Sequence, residues 1–362
     1  MKKILFATTA LVATAGVASA EIALTGMAEM GIYDNGNDDT QFFTDIDVTF
    51  TMSGEADNGL TFGANVDLDE SDGSGSAAGS CETRTAGVDL NGGGVIGVND
   101  DYSLCTPGTW AVNGASGSFS GNTQGGEAIF ISYGGATLTM GDTDGAYDAA
   151  LPEMALAGGS LNDDETVHLG FNHADGDGGA LGLDGFGDGQ IARFDYAYNG
   201  FTFSLSAEQV ADGADVPGMG ETIWGLGVTW SGQLSAVDLT VGLGYQALDD
   251  WGSIVGVAAT GGFANGISAG LTYSNFDSDL AGVDDIEHVG VGFGYEMNAL
   301  AVGLNWGRFE QGGDETSGWG LAATYDLGGG LEARFGYGYS DFDIGGVTGD
   351  FDTYSLGLRM NF

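Results

Sequence analysis

From residue 21 to residue 362, apolar and polar positions alternate in segments of about ten residues, separated by turns rich in glycine and asparagine. Strict alternation marks a strand with two unlike faces. In the last segment Tyr354, Leu356, Leu358, Met360 and Phe362 share one face, and Ser355, Gly357, Arg359 and Asn361 share the other. The same pattern runs through residues 224–230, 237–245, 289–297 and 331–339. The apolar face is broad and carries aromatics near its ends, whereas the other is mostly Gly, Ser, Thr and acids. A soluble sandwich also alternates, but it turns its apolar face to a core. Small inner faces cannot fill a closed interior, so the pattern predicts lipid on one side and a wet lumen on the other.

Asn58-Gly59, Gly134-Gly135, Asn199-Gly200, Ser231-Gly232, Asn265-Gly266, Asn298-Ala299 and residues 328–330 read as tight hairpin turns. Their flanking strands, with a first strand at 21–33 and a last at 352–362, make about sixteen. Longer acidic stretches at 35–41, 211–221 and 312–318 read as loops at the opposite end, and 72–126 and 143–190 interrupt the rhythm as long loops. The predicted class is all-β: a transmembrane antiparallel barrel with short periplasmic turns and long extracellular loops.

The N-terminus supports an envelope destination. Lys2 and Lys3 precede an apolar run at 4–17, and Ala18-Ser19-Ala20 offers a small-residue cleavage site. Residues 1–20 therefore read as a signal peptide and 21–362 as the mature barrel. No later stretch has the roughly eighteen apolar residues of a membrane helix. A membrane protein without such helices must be a closed barrel, because lipid leaves open backbone groups unsatisfied.

Charge then narrows the partners. The chain carries 52 acids against seven basic residues, a formal charge of −45, and Lys2 and Lys3 leave with the leader. Nucleic acid is excluded, because the five remaining arginines offer no basic patch to neutralise phosphates; cationic solutes and divalent cations are favoured. Twenty Phe, 13 Tyr and six Trp argue against a disordered acidic chain. No P-loop, H-E-x-x-H or G-x-S-x-G is present, and His168, His173 and His288 lack a positioned nucleophile, so no enzyme is expected.

Cys81 and Cys105 lie alone in the 72–126 insertion. An even pair in a secreted protein predicts a disulfide, contributing about 3–4 kcal/mol in the chain-entropy model. A metal site is the rival, without a nearby His to complete it. The acidic runs 37–39 and 163–165, Asp175 with Asp177, and Asp284-Asp285 are candidate Ca²⁺ ligands, otherwise solvated surface charge. Together they suggest divalent bridging to outer-membrane lipid headgroups. Arg308 shares parity with Leu304 and Trp306 and is expected at the outer rim. A soluble Ca²⁺-binding β-protein remains as an alternative and needs a strict G-G-x-G-x-D repeat, at which residues 176–189 only hint.

The runs EIALTGMAEMGIYDNG, FTMSGEADNGLTFGA, IFISYGGATLTMGDTDGAYDAALPEM and ATYDLGGGLEARFGYGYSDFD, with the end YSLGLRMNF and its terminal Phe362, resemble the Rhodobacter-type general porins of alphaproteobacteria. The likeness implies passive diffusion of small hydrophilic solutes and ions across a Gram-negative outer membrane. It also implies a homotrimer, with a third loop folded into each lumen. That loop would occupy 141–165 and carry Asp142, Asp144, Asp148, Glu153, Asp163, Asp164 and Glu165 at the constriction. A second loop of this family can latch onto the neighbouring subunit.

The chain departs from the family where basic residues usually stand on the first two strands: Glu29, Asp45 and Asp47 replace them. Arg193, Arg334 and Arg359 lie opposite apolar faces and are expected on the lumenal wall. Inward acids outnumber inward arginines, which predicts a cation-preferring pore. A substrate-specific channel is the alternative; it needs an aromatic track in the lumen, whereas most large aromatics here face outward. No cofactor is expected.

Overall fold

The computed structural model describes residues 21–36, 40–69, 81–85, 101–105, 123–161, 166–174, 181–186, 190–209 and 222–362. The leader, most of the 72–126 insertion, and Asp163, Asp164 and Glu165 lie outside the described residues. The strands are β1 (Glu21–Asp34), β2 (Gln41–Glu55), β3 (Thr61–Asp69), β4 (Cys81–Thr85), β5 (Asp101–Cys105), β6 (Thr123–Tyr133), β7 (Ala136–Gly141), β8 (Ile191–Tyr198) and β9 (Phe201–Gln209). They continue with β10 (Thr222–Leu234), β11 (Val237–Leu248), β12 (Gly252–Phe263), β13 (Ile267–Ser278), β14 (Ile286–Met297), β15 (Leu300–Gln311), β16 (Asp314–Gly328), β17 (Leu331–Ile344) and β18 (Val347–Asn361).

Sixteen of these strands form one closed barrel, each pairing antiparallel with its neighbours, while β4 and β5 form a separate two-stranded ribbon. Closure comes from β1 pairing with β18, where Glu29 faces Arg359 and Met30 faces Leu358. Phe362 completes the seam: its N–H donates to the Gly26 carbonyl at 2.8 Å. With no edge of the barrel left unpaired, each of its sixteen strands can sit in hydrocarbon.

The outward face is what alternation predicted. Leu226, Leu243, Leu271, Phe293 and Leu356 are each more than half exposed, a distribution that water would penalise and lipid rewards. Trp224 and Trp230 bracket β10, and Trp319 and Tyr325 bracket β16. Six residues of strand span about 20 Å, matching aromatic girdles around an apolar band.

Three boundaries differ from expectation. Ser231-Gly232 lies within β10, where Ser231 faces Thr240; the turn is Ser235-Ala236, with Ser235 at φ 60°. The pairing runs on because Gln233 Nε2 donates to Asp238 Oδ1 at 3.1 Å beyond the expected turn. Similarly, 312–318 is not a loop: Gly312-Gly313 make the connection, with φ of 61° and 144°, and Gly318 already faces Gly307. Its Asp, Glu, Ser and Gly composition reads as loop, yet β15 supplies every ladder partner. The last strand starts at Val347 rather than 352, after a Gly345-Gly346 turn. Several loop-end connections are therefore as short as those at the turn end.

Candidate functional site

Between β7 and β8 the chain enters the barrel and lines it. On the outgoing limb, the Ala146 N–H donates to Ser206 Oγ (2.8 Å), the Tyr147 hydroxyl to Ser274 Oγ (3.0 Å), and the Leu161 N–H to Ser355 Oγ (3.1 Å). These contacts carry the loop from β9 round to β18. On the return, Thr353 Oγ1 donates to the Val167 carbonyl (2.7 Å), the Leu169 N–H to Ser340 Oγ (3.0 Å) and the Leu183 N–H to Gln246 Oε1 (2.9 Å). The two limbs join where the Gly145 N–H donates to Asp184 Oδ2 at 2.6 Å, and Gln246 Nε2 donates to the other oxygen. Burial pushes the Asp184 carboxyl up to about 6. The infolded segment thus reaches well past residue 165, where the resemblance placed its end.

The inward glycines explain why the loop lies so close. A Cβ on Gly227, Gly242, Gly303 or Gly338 would stand 2.1, 1.7, 2.0 or 2.0 Å from the carbonyl oxygen of Ala146, Ala150, Ala157 or Val167. The wet-lumen reading of the inner glycines is therefore corrected: over β10–β17 they form a docking track for the loop backbone, because only a missing side chain leaves room for it. Above the track, loop residues Tyr147, Leu151, Met154, Leu181 and Leu183 pack with inward Ile223, Leu248, Ile254 and Phe276. This apolar core inside the barrel holds the loop by burial as well as by hydrogen bonds.

The wall charges gather at two places. Glu29 faces Asp45 across β2 and Arg359 across β18, and Arg359 faces Glu332 across β17. The Glu29 side chain is fully buried, with Oε1 3.6 Å from both Arg334 Nη1 and Arg359 Nη1. Arg334 also reaches Glu332 (Nε–Oε2 3.4 Å) and donates to the Ser160 carbonyl at the far bend of the loop (3.0 Å). The second cluster is Arg193, whose Nε meets Asp195 Oδ2 at 3.1 Å and whose Nη1 donates to the Asp144 carbonyl at 2.6 Å. Asp144 itself is mostly exposed, 3.6 Å from the same guanidinium.

The other expected residues are scattered. The Asp142 N–H donates to the Glu127 carbonyl where the loop departs, and Asp148 opens a short 3-10 turn, Asp148–Ala150. Glu153 pairs with His173 at 3.4 Å. Asp47 lies inward on β2 and faces Asp69 and Met27. Arg308 pairs with Glu310 at 3.0 Å and Glu315 at 3.6 Å, and shares the parity of the outward Leu304 and Trp306. Cys81 and Cys105 are direct partners in the β4–β5 register. Of the Ca²⁺ candidates only Asp284-Asp285 is described: Asp285 Oδ1 accepts the Ser278 N–H, and no three His, Cys, Asp or Glu converge for a metal among the described residues. Asp67 and Asp195 were missed, although each shares its strand's inward face; Asp184, Glu208 and Gln246 carried no signal outside the folded loop.

A closed sixteen-strand barrel with an apolar belt and a loop seated in its lumen defines an outer-membrane channel. The chain belongs to the Gram-negative porin family, whose model matches residues 7–345. It is 25% identical over 366 residues to a porin of Rhodobacter capsulatus, covering 94% of this chain and 100% of that one. It is also 25% identical over 244 residues to a monosaccharide porin of a Halomonas species, covering 59% and 64%. A porin structure refined at 1.8 Å resolution superposes with a TM-score of 0.60 at 20% identity, covering 94% of this chain and 100% of that one. A mutant Rhodopseudomonas blastica porin gives 0.58 at 17% identity, with the same coverage. Family and fold are those of non-enzymatic diffusion channels, and they place the chain in the outer membrane.

Proposed function

We propose that this porin is a cation-preferring pore for small hydrophilic solutes, in which water and ions pass between the infolded loop and the inner wall of β2, β3 and β7. One observation carries the reading. Arg193, Arg334 and Arg359 share the lumen with Glu29, Asp45, Asp47, Asp67, Asp195 and Glu332 on the wall and Asp144 and Glu153 on the loop. Every one of these arginines has a carboxylate beside it, and further carboxylates remain over. In a narrow passage with low-dielectric walls, that surplus concentrates cations and repels anions. A reversal potential measured across a planar bilayer in a KCl gradient is expected to take the cation-selective sign. The preference is expected to weaken as both baths are raised toward 1 M, where screening shortens to about 3 Å. A potential of the anion-selective sign overturns it. The family resemblance supports a homotrimer, expected as conductance steps in multiples of three.

A second reading, passage of neutral sugars, is favoured by the hydroxyls Thr202, Ser204, Thr229, Ser231, Thr240 and Thr260 on the inward face toward the turn end, and by the name of the Halomonas relative. Liposome swelling with sugars of graded size separates a general pore from a sugar-specific one. The facing positions of Cys81 and Cys105 support a disulfide in the β4–β5 ribbon. Iodoacetamide is expected to add no mass to the unfolded chain until a reductant is present.

A further inference from the structure

All three histidines of the chain gather on the returning limb of the infolded loop or against it. His168 Nε2 lies 2.6 Å from Asn305 Oδ1, an acceptor, so the ring hydrogen sits on Nε2. His168 Nδ1 is then free to accept the Gly170 N–H, at 3.1 Å. The Gly170 carbonyl in turn receives His288 Nε2 at 3.0 Å, and the His288 ring packs against Phe309 with centroids 4.4 Å apart. Both rings are buried, at 7% and 2% exposure. His288 Nδ1 is buried without a hydrogen-bond partner among the described residues.

We propose that this pair of histidines is an acid-sensitive latch: at neutral pH it pins the 166–171 turn to the barrel wall, and on protonation it releases the turn toward the lumen and narrows the pore. The proposal concerns regulation of the constriction and rests on the porin reading above.

The chemistry follows from which nitrogens are occupied. A proton on His168 must go to Nδ1, where it would confront the Gly170 N–H, donor against donor. A proton on His288 must also go to Nδ1, into a buried position with no acceptor among the described residues. Two cations sharing one glycine would repel as well. The groups facing the turn are His288 on β14, Asn305, Gly307 and Phe309 on β15, Thr316, Gly318 and Gly320 on β16, Gly338 and Ser340 on β17, and Thr353 on β18. Within the loop they are Phe171 and His173. The titratable members are all histidines, and the carboxylate that reaches this group, Glu153, is paired to His173.

Burial lowers His168 to about 4 from its ordinary 6.5. Because the seated ring resists protonation, its contribution is complete above pH 6.5 and is lost as pH falls toward 4. The released turn has one direction open to it. Gly307 and Gly318 stand directly behind, so close that a Cβ on them would lie 2.0 Å from the Gly170 carbonyl and 2.6 Å from His168 Nδ1.

Single-channel recording of the refolded full-length mature chain at pH 7.5 and pH 4.5 tests this. The fraction of time in reduced-conductance states is expected to rise by at least about tenfold at the lower pH. In a His168→Asn, His288→Gln double variant the rise is expected to disappear. The asparagine side-chain carbonyl still accepts an N–H two residues on, and the glutamine amide still donates to the Gly170 carbonyl. Wild-type channels that stay fully open at pH 4.5 overturn the latch, as do double-variant channels that close like wild type. Absence of any channel at pH 7.5 would instead strike at the porin reading, so the two failures are distinct. A Glu153→Gln variant, which leaves both clasp rings in place, is expected to keep the acid closure; its loss there would assign the closure to carboxylate titration and overturn the proposal.

Discussion

Replacing Glu29 with alanine is expected to destabilise the barrel by about 3–5 kcal/mol, the usual cost of removing one partner from a buried ion pair, and to move ion preference toward anions. Glu29 is fully buried and is the carboxylate that Arg334 and Arg359 share, with Oε1 3.6 Å from each. Those arginines are largely enclosed, at 11% and 25% side-chain exposure, so water cannot take over the role of the lost carboxylate. Without Glu29, Arg334 keeps Glu332 and the neutral Ser160 carbonyl among its neighbours. Urea unfolding in detergent micelles measures the first effect and the reversal potential measures the second. Glu29→Gln keeps the shape and removes the charge, so it should reproduce the shift in preference with a smaller loss of stability. Adding Arg334→Met to Glu29→Ala is expected to recover part of the stability, because the uncompensated charge goes with it. Equal stability of Glu29→Ala and wild type would mean that the triad is solvated and contributes nothing.

How far this was legible in the sequence depends on what each feature answers to. Alternation was readable because lipid imposes it on every strand, and Asn199-Gly200 and Asn298-Ala299 were readable because a two-residue hairpin needs positive φ, here 50° at Asn199 and 55° at Asn298. Ser231-Gly232 misled because Ser231 also suits an inward face, while Gly232 is an outward position beside Trp230, whose indole would lie 2.6 Å from a Cβ there. The proximity of Arg334 and Arg359 could be inferred from adjacent final strands. Their union with Glu29 could not, since closure alone does not set the register at the seam, where Glu29 comes to face Arg359. The loop's reach was the largest omission. Tyr147, Leu151 and Met154 are apolar residues in an acidic segment, which hints at burial but not where. Inward Gly-x-Gly pairs recur at Gly225 and Gly227, Gly242 and Gly244, Gly292 and Gly294, and Gly318 and Gly320, whereas β8 and β9 carry Arg193, Asp195, Thr202 and Ser204 instead. That contrast between strands marked the loop's path, and it becomes interpretable once something is known to lie against the glycines.

Gly242→Leu should therefore disturb the pore more than its position far from any charge would suggest. A Cβ at residue 242 would fall 1.7 Å from the Ala150 carbonyl oxygen and 3.3 Å from Pro152, so the loop must retreat by more than an ångström before the rest of the leucine is accommodated. β11 cannot yield, because Gly242 is paired on both sides, with Thr229 and Ala258. The loop moves toward the axis, and its hold weakens, since Tyr147 and Leu151 would leave the core formed with Ile223, Leu248 and Ile254. Overpacking of this kind costs about 1–3 kcal/mol. Single-channel conductance is expected to fall, and liposome swelling should show the larger sugars excluded first. Gly262→Leu supplies the comparison: it lies on the next strand with the same inward parity, and its nearest neighbour would be 4.0 Å away. If both variants conduct like wild type, the glycines are not the loop's seat. If Gly242→Leu alone narrows the channel, the width of the pore is set by how closely the loop backbone can approach the wall.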